Sequence, residues 1–148
     1  LFYAARANHL AEFIRPALQR GDIILCDRFS DSTRVYQGVL GAVPSDVVER
    51  LETLVVGETK PDLTIILDIP PETGLARAHA RRGKTVADRF ESETLEFHHR
   101  LRQGFLDLAR NNQKRVVVIS ALGDETSIEH EIWQTLTLRF PLLLGPRP

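Results

Sequence analysis

A carboxylate and a guanidinium stand next to each other directly after a short apolar run. Asp27 and Arg28 follow residues 23–26, whose sequence Ile-Ile-Leu-Cys is typical of a strand buried on both faces. An arginine can bind two phosphate oxygens at once, and a carboxylate suits a hard cation such as Mg²⁺. The pair therefore predicts a phosphate site if it lies at a ligand-binding edge of a sheet. For a bare Asp-Arg dipeptide, a local salt bridge is the simpler interpretation.

A second group of charged residues lies further along the chain. Residues 77–90 contain Arg77, Arg81, Arg82, Lys84 and Arg89. Such a run of charge usually forms a solvated helix face. Binding of RNA or DNA is disfavoured because the net charge of the chain is −1 and because no aromatic residues are interleaved with these cations.

Several other catalytic and metal-binding patterns are missing from the sequence. The five histidines do not have the spacing of a metal site, and there is no G-x-S-x-G motif. Cys26 is the only cysteine, so an internal disulfide is excluded and a reducing compartment is favoured. Because Cys26 lies in an apolar run, its thiol is predicted to be buried and inert.

Three almost continuous apolar runs predict buried strands. They cover residues 23–26, 63–69 and 116–119, and they alternate with segments of helical periodicity. Such alternation is typical of a parallel sheet covered by helices on both faces, the α/β class. Ligands bind these sheets at the carboxyl ends of the strands, so Asp27, Arg28 and Asp68 are expected to share one edge.

Five segments of the chain are predicted to be helical. The first ends near Gly21 and is expected to place at helical spacing Phe2, Ala5, Leu10, Phe13, Ile14, Ala17 and Leu18. The second follows Pro44, and its apolar stripe is predicted to contain Val47, Val48, Leu51, Leu54 and Val55. The remaining three begin after Pro70, around Phe97 and around Ile128. Residues 141–148 are predicted to form a loose tail after one domain of residues 1–140.

The composition of the chain agrees with a folded protein without a membrane span. Of 148 residues, 43% are hydrophobic and 26% are charged, which excludes disordered and low-complexity classes. No apolar stretch approaches the roughly 20 residues that cross a bilayer, so a cytoplasmic protein without a membrane partner is expected. The sequence contains no Met and opens in a helical pattern, so it is expected to be a fragment.

Several segments, in order, resemble one enzyme family. Residues 24–38, ILCDRFSDSTRVYQG, are similar to the signature of thymidylate kinases. The flanking segments that share this resemblance are LFYAAR at 1–6, KPDLT at 60–64, PPETGL at 70–75, and DRFESE at 88–93 with Phe97 and His98. The resemblance extends to about residue 121. It implies a three-layer α/β/α P-loop kinase fold and transfer of the γ-phosphoryl of MgATP to thymidine monophosphate, in a protein that is commonly a homodimer.

The resemblance also implies roles for residues near the acceptor. Phe2 would stack on thymine, and Arg6, one turn later, would reach the base. Arg28 would grip the acceptor phosphate, with Asp27 beside it near the Mg²⁺. The positions that would line the base and sugar pocket are Ser32, Gln37 and Tyr36.

In the same family, the basic stretch corresponds to a lid that closes over ATP, here about residues 77–90. The resemblance therefore makes Arg77, Arg81 and Arg82 candidates for ATP binding. Arg82 and Arg89 are the candidates for a catalytic cation, because positive charge in a lid can neutralise the phosphoryl group in flight.

One motif of the family is absent. No stretch matches G-x-x-x-x-G-K-[ST], the loop that cradles donor phosphates, and the family places that loop and a central strand before the first helix. The chain by itself is therefore expected to be inactive, with a gap between the strands at 23–26 and 63–69. Two alternatives remain open: a kinase for another nucleoside monophosphate, and a nucleotide-binding fragment without catalytic activity.

Overall fold

The structure is a computed structural model that describes residues 1–41, 43–82 and 93–142. The chain divides into two compact units, Leu1–Asp62 and Leu63–Pro148. Within the described ranges, no helix combines the length and the apolar character that crossing a bilayer requires. The two units are described separately below.

The first unit is helical in its described part. Its elements are α1 (Phe2–His9), a first π-helical stretch (Leu10–Ile14), α2 (Arg15–Gln19), α3 (Ser30–Thr33), a second π-helical stretch (Arg34–Val39) and α4 (Ser45–Val55). In the first π-helical stretch, the Arg15 amide donates to the Leu10 carbonyl, five residues back. Pro16 follows directly. A proline ring clashes with the carbonyl four residues before it, and a widened turn relieves that clash.

The core of the first unit joins the first helix to α4. Tyr3, Leu10 and Ile14 pack with Val48 and Val56. The Tyr3 hydroxyl also donates to the Val48 carbonyl over 3.3 Å. Burial, followed by the charge of the Glu52 carboxylate, raises the pKa of Tyr3.

The buried faces of these helices differ from the predicted ones. Phe13 and Leu18 are predicted on the apolar side of the first helix, but both are exposed. On α4 the buried residues are Val48 and Glu52, and Val56, directly after the helix, is also buried, whereas the exposed apolar residues are Val47, Leu51 and Leu54. The face of α4 that packs against the core therefore contains the Glu52 carboxylate and not the most apolar residues. A pattern of hydrophobicity alone predicts the opposite orientation.

The predicted strand at residues 23–26 is wrong. No strand among the described residues pairs with this segment, and Ile23 and Leu25 are 69% and 99% exposed. Cys26 is also exposed, so the prediction of a buried thiol is wrong as well. An apolar run becomes a strand only when another strand accepts its backbone hydrogen bonds, and the described part of the chain supplies none here.

The second unit contains a parallel β-sheet. Its elements are β1 (Thr64–Asp68), α5 (Pro71–Arg82), α6 (Leu95–Asn111), β2 (Val116–Ser120) and α7 (Glu125–Arg139). The two strands run parallel, from the pair Thr64↔Val116 to the pair Asp68↔Ser120. The Ala121 amide continues the ladder by donating to the Asp68 carbonyl over 2.7 Å. A parallel pair with a helical crossover confirms the predicted α/β class.

Side-chain caps fix where two helices of this unit begin. Thr94 accepts a hydrogen bond from the Phe97 amide at the start of α6, and Asp124 accepts one from the Ser127 amide at the start of α7. The hydrogen bond from the Ser127 amide, followed by that from the Ser127 hydroxyl, lowers the pKa of Asp124. A capped start satisfies amides that the helix itself leaves unpaired, so the length of each helix is set locally.

Candidate functional site

Arg6 connects α1 to the start of α3. Its Nη2 donates to the Phe29 carbonyl over 3.2 Å and to Thr33 Oγ1 over 2.8 Å. The guanidinium carbon also lies 5.0 Å from the Tyr3 ring centre and 5.2 Å from the Phe29 ring centre. The other terminal nitrogen, Nη1, is buried and has no hydrogen-bond partner in the described ranges. Arg6 is therefore held by two hydrogen bonds and two aromatic rings, while its Nη1 group makes no hydrogen bond to any described residue.

Arg28 has an unusual backbone conformation. Its φ is +63°, and among the described residues it is the only one besides glycine with positive φ. An L-residue in this region is strained, and such strain is concentrated at functional sites. The guanidinium carbon of Arg28 lies 5.4 Å from the centre of the Tyr36 ring, which is within cation–π distance. The fold thus holds an exposed cation over an aromatic ring.

The other residues predicted for the acceptor site belong to the same unit. Phe2 is 61% exposed and precedes Arg6 by four residues, so the two share a face of α1. Ser32 and Gln37 are half-buried, and Asp27 is exposed beside Arg28. Arg6 and Arg28 therefore both make direct contacts with residues between Phe29 and Tyr36. The ring of Phe2 is exposed.

Asp27 has the chemistry to supply one metal ligand. Mg²⁺ is commonly held by one or two carboxylates, with phosphate oxygens and water completing its shell. Within the described ranges, no three His, Cys, Asp or Glu side chains are grouped so that they could hold a metal ion. A cation at Asp27 would therefore need phosphate oxygens as further ligands.

An ion pair in the first unit was missed by the sequence analysis. Arg34 Nη1 lies 3.5 Å from Glu52 Oε2, and Arg34 Nη2 lies 3.4 Å from Glu49 Oε1. The Glu52 side chain is only 4% exposed. The available signal was the spacing of Val48, Glu52 and Val56, which puts a carboxylate in the middle of an apolar stripe.

The carboxyl end of β1 carries a second charged group. Arg102 of α6 donates from Nε and from Nη2 to the two carboxylate oxygens of Asp68, each over 2.7 Å. This hydrogen bonding lowers the pKa of Asp68. Beside it, His99 Nε2 and Glu72 Oε1 are 2.9 Å apart.

Arg77 is engaged with the protein backbone. Its Nη1 donates to the Ala121 carbonyl over 2.7 Å, and its Nη2 donates to the Leu122 carbonyl over 2.9 Å. These bonds tie α5 to the loop that follows β2. Arg81 is exposed on the same helix. Arg82 ends the helix, but its side chain lies outside the described part of the structure, as do Lys84 and Arg89.

The prediction that Asp27, Arg28 and Asp68 share one edge remains a prediction. Asp27 and Arg28 belong to the first unit, and Asp68 belongs to the second. Asp27 and Arg28 lie just before α3, which begins at Ser30, and Asp68 is the last residue of β1. Such places commonly carry ligand-binding side chains in α/β proteins.

Comparison with known proteins gives a consistent result. The family model described as thymidylate kinase matches residues 1–132. The chain is 51% identical over 139 residues to a thymidylate kinase of Rhodopseudomonas palustris, covering 94% of this chain and 60% of that protein. It is 46% identical over 147 residues to a thymidylate kinase of Afipia carboxidovorans, covering 99% of this chain and 64% of that protein.

A solved structure shows the same relationship. The crystal structure of thymidylate kinase from Ehrlichia chaffeensis matches with a TM-score of 0.67 and 30% sequence identity, covering 91% of this chain and 60% of that one. The chain therefore spans about three fifths of the length of these proteins.

Proposed function

Because this chain belongs to the thymidylate kinase family, we propose that the protein containing it transfers the γ-phosphoryl group of ATP to thymidine monophosphate, giving thymidine diphosphate. The observation that carries the proposal is the placement of Arg28. An exposed guanidinium is held in a strained backbone conformation over Tyr36, in the same unit as Arg6. Such strain is kept where a side chain must meet a ligand.

In the proposed acceptor site, each side chain has a separate task. The exposed ring of Phe2 stacks on the thymine face, and Arg6, through its unpartnered Nη1, donates to an oxygen of the base. Gln37 can donate to and accept from a pyrimidine edge, and Ser32 adds a hydroxyl. Tyr36 packs near the sugar while also orienting Arg28.

The acceptor phosphate is assigned to Arg28. A guanidinium offers two parallel donors to phosphate oxygens, which orients the phosphate as well as binding it. We assign Asp27 one position in the ligand shell of Mg²⁺. When bound, that ion would neutralise charge on the phosphates.

The proposed reaction is a direct displacement. An oxygen of the thymidine monophosphate phosphate forms a bond to the γ-phosphorus of ATP as the bond from that phosphorus to ADP breaks. No bond to the protein forms, so the residues contribute positioning and charge neutralisation. Arg81 and Arg82 are assigned to ATP, and Arg82 and Arg89 are the candidates that meet the transferred group. Arg77, which was a further candidate for ATP, uses both terminal nitrogens on the Ala121 and Leu122 carbonyls and is assigned to holding that loop.

The donor site requires a further part. The 148 residues contain no G-x-x-x-x-G-K-[ST] motif, whose backbone amides and lysine hold the β- and γ-phosphates. The proposal therefore concerns a protein of the length of its relatives, of which this chain covers about three fifths. A single kinase domain that includes residues 1–140 is part of the same proposal.

Assembly and location are proposed together with the activity. The family resemblance supports a homodimer in the cytoplasm that binds neither nucleic acid nor membrane. The exposed apolar residues Val47, Leu51 and Leu54 on one face of α4 are compatible with a covered surface. Sedimentation of the full-length protein tests the assembly, and a monomer at all concentrations would contradict it.

The activity is tested on the protein expressed from the full reading frame. A coupled assay for ADP formation should show phosphorylation of thymidine monophosphate that depends on ATP and Mg²⁺. Deoxyuridine, uridine and cytidine monophosphates serve as competing acceptors. Preference for another acceptor would show that thymidine monophosphate is not the substrate. Binding of nucleotides without turnover would support a nucleotide-binding protein without kinase activity.

A further inference from the structure

We propose that Arg34 is a positioning residue for the acceptor nucleotide, acting through its ion pair with Glu52 on α4. The inference rests on the proposed function and deepens it. It concerns a residue that lies between the candidate site residues Ser32 and Tyr36 in the sequence. In this proposal Arg34 contacts α4 and does not touch the substrate.

The geometry singles out Arg34 from the other surface arginines of this unit. Its guanidinium lies between two carboxylates one turn apart on α4, 3.4 Å from Glu49 and 3.5 Å from Glu52. The Glu49 side chain is 61% exposed, so that pair is screened by water and contributes little. The Glu52 side chain is almost completely buried, so removal of Arg34 would leave a buried carboxylate without its ion-pair partner.

The direction of Arg34 determines the direction of its neighbours. Residues two positions apart on a helix project to roughly opposite sides of the axis, and the wider turn of a π-helix does not change this. Because the Arg34 guanidinium contacts α4, we infer that Ser32 and Tyr36 face away from α4. Rotation of this segment would therefore move both candidate pocket residues, and Arg28 packs on one of them.

The segment also needs such a tertiary contact. Arg34–Val39 is π-helical, and the Leu40 amide donates to the Val35 carbonyl, five residues back, over 3.0 Å. The π-helix is rare, occurs mostly as single turns within α-helices, and is frequent at functional sites. The Arg34 ion pair holds its first turn against α4, and the next side chain, Val35, is fully buried. The ion pair is the part whose loss can be tested without creating a cavity.

The experiment uses the full-length enzyme with Arg34→Gln, Glu52→Gln and the double variant. The matched control is Arg50→Gln. It also removes one positive charge, but from an exposed ion pair within α4, in which Arg50 lies 3.8 Å from Asp46. Arg34→Gln should raise the KM for thymidine monophosphate about tenfold, because small displacements of positioning groups have effects of this order. The kcat should fall far less than in Arg28→Lys and the KM for ATP should not change, because Arg34 touches no reacting atom.

Two further readouts separate positioning from simple stabilisation. Arg34→Lys keeps one charge beside Glu52, so it should recover part of the lost affinity. The double variant should be less impaired than the sum of the single ones, because Glu52→Gln removes the buried charge that Arg34→Gln leaves unpaired. If Arg34→Gln does not fold, Arg34→Lys and the double variant decide the matter through the same KM values.

The results that overturn the inference are distinct from those that overturn the proposed function. If Arg34→Gln lowers the melting temperature but leaves the KM for thymidine monophosphate unchanged, the ion pair has only a structural role. If Arg50→Gln raises that KM equally, the effect comes from the loss of charge in general. Calorimetry of the wild-type protein comes first, because failure of wild type to bind thymidine monophosphate would overturn the proposed function itself.

Discussion

Arg102 holds both carboxylate oxygens of Asp68, the last residue of β1, through two hydrogen bonds of 2.7 Å. The two residues are 34 positions apart, and the pair joins α6 to the carboxyl end of the sheet. Hydrogen bonds to a charged group are stronger than neutral ones, although the partial exposure of both side chains reduces the gain.

This pair should make stability depend on acid pH. Arg102 holds the pKa of Asp68 below its ordinary value of 3.8 in the folded protein. The pair is therefore stabilising above the unfolded-state pKa, and that stabilisation is lost as pH falls through the folded-state pKa. Asp68→Asn should lower the free energy of unfolding by about 1 kcal/mol at pH 7 and by less near pH 3. Urea unfolding at both pH values measures the difference.

The matched control for that experiment is Asp107→Asn. Asp107 pairs with Arg110 within α6, and both side chains are more exposed than those of Asp68 and Arg102. Its substitution should change stability little at either pH. Equal pH dependence in the two variants would contradict the assignment of the effect to Asp68.

Thr33 should support Arg6. Thr33→Val keeps the shape of a buried side chain but removes the acceptor that lies 2.8 Å from Arg6 Nη2. Loss of that bond should lower the free energy of unfolding by about 1–2 kcal/mol and weaken binding of thymidine monophosphate. Denaturant unfolding and calorimetry give the two values. Thr53→Val, which removes a hydroxyl that bonds the Glu49 carbonyl on an exposed helix face, is the control and should leave binding unchanged.

Arg28 should separate stability from activity. Arg28→Lys should reduce kcat about 100-fold or more, because an ammonium group cannot provide two parallel donors to a phosphate. Arg28→Gly should also be inactive yet at least as stable as wild type, since glycine adopts a φ of +63° without strain. Melting temperatures and steady-state rates test both variants. Near-normal turnover of Arg28→Lys would instead assign Arg28 to a structural contact.

Gln37 should contribute to base selection. Gln37→Ala removes a side chain that can both donate to and accept from the pyrimidine edge, and an unpaired polar partner costs about 1–3 kcal/mol. The KM for thymidine monophosphate should rise and the preference over deoxyuridine monophosphate should fall. Gln19→Ala, at the exposed end of α2, is the control. Unchanged KM and unchanged preference would remove Gln37 from the pocket.

Residues 1–148 expressed alone should not catalyse phosphoryl transfer. They contain no G-x-x-x-x-G-K-[ST] motif, and cations of a lid cannot replace the amides that cradle the donor phosphates. The exposure of Ile23 and Leu25 also predicts a lower melting temperature than that of the full-length protein. Side-by-side thermal unfolding and ATP turnover test both statements, and an active 148-residue protein with cooperative unfolding would contradict them.

The sequence by itself determined the elements whose signals are local. The apolar runs at 63–69 and 116–119 correspond to the two paired strands. Thr64–Asp68 is one residue shorter at each end than the predicted run, and Val116–Ser120 is one residue longer at its carboxyl end. The positions of the other helices followed from apolar spacing and from Pro44 and Pro71, but residues 27–33 were predicted as a loop, and the helical segment from Ser30 to Val39 was not predicted. The order of the motifs also identified the family, because motif order is a property of the chain and needs no coordinates.

Tertiary structure decided which faces and which charges meet. Residues 23–26 have the same apolar pattern as the paired strands, yet they form no strand. A strand needs a second strand to accept its backbone hydrogen bonds, and the described residues place none beside this segment. Likewise, α4 buries Glu52 and exposes Leu51, and the partner that makes this burial tolerable is Arg34, 18 positions away. Arg34–Glu52 and Asp68–Arg102 are contacts between distant residues, and local periodicity carries no information about which distant residues the folded backbone brings within 4 Å.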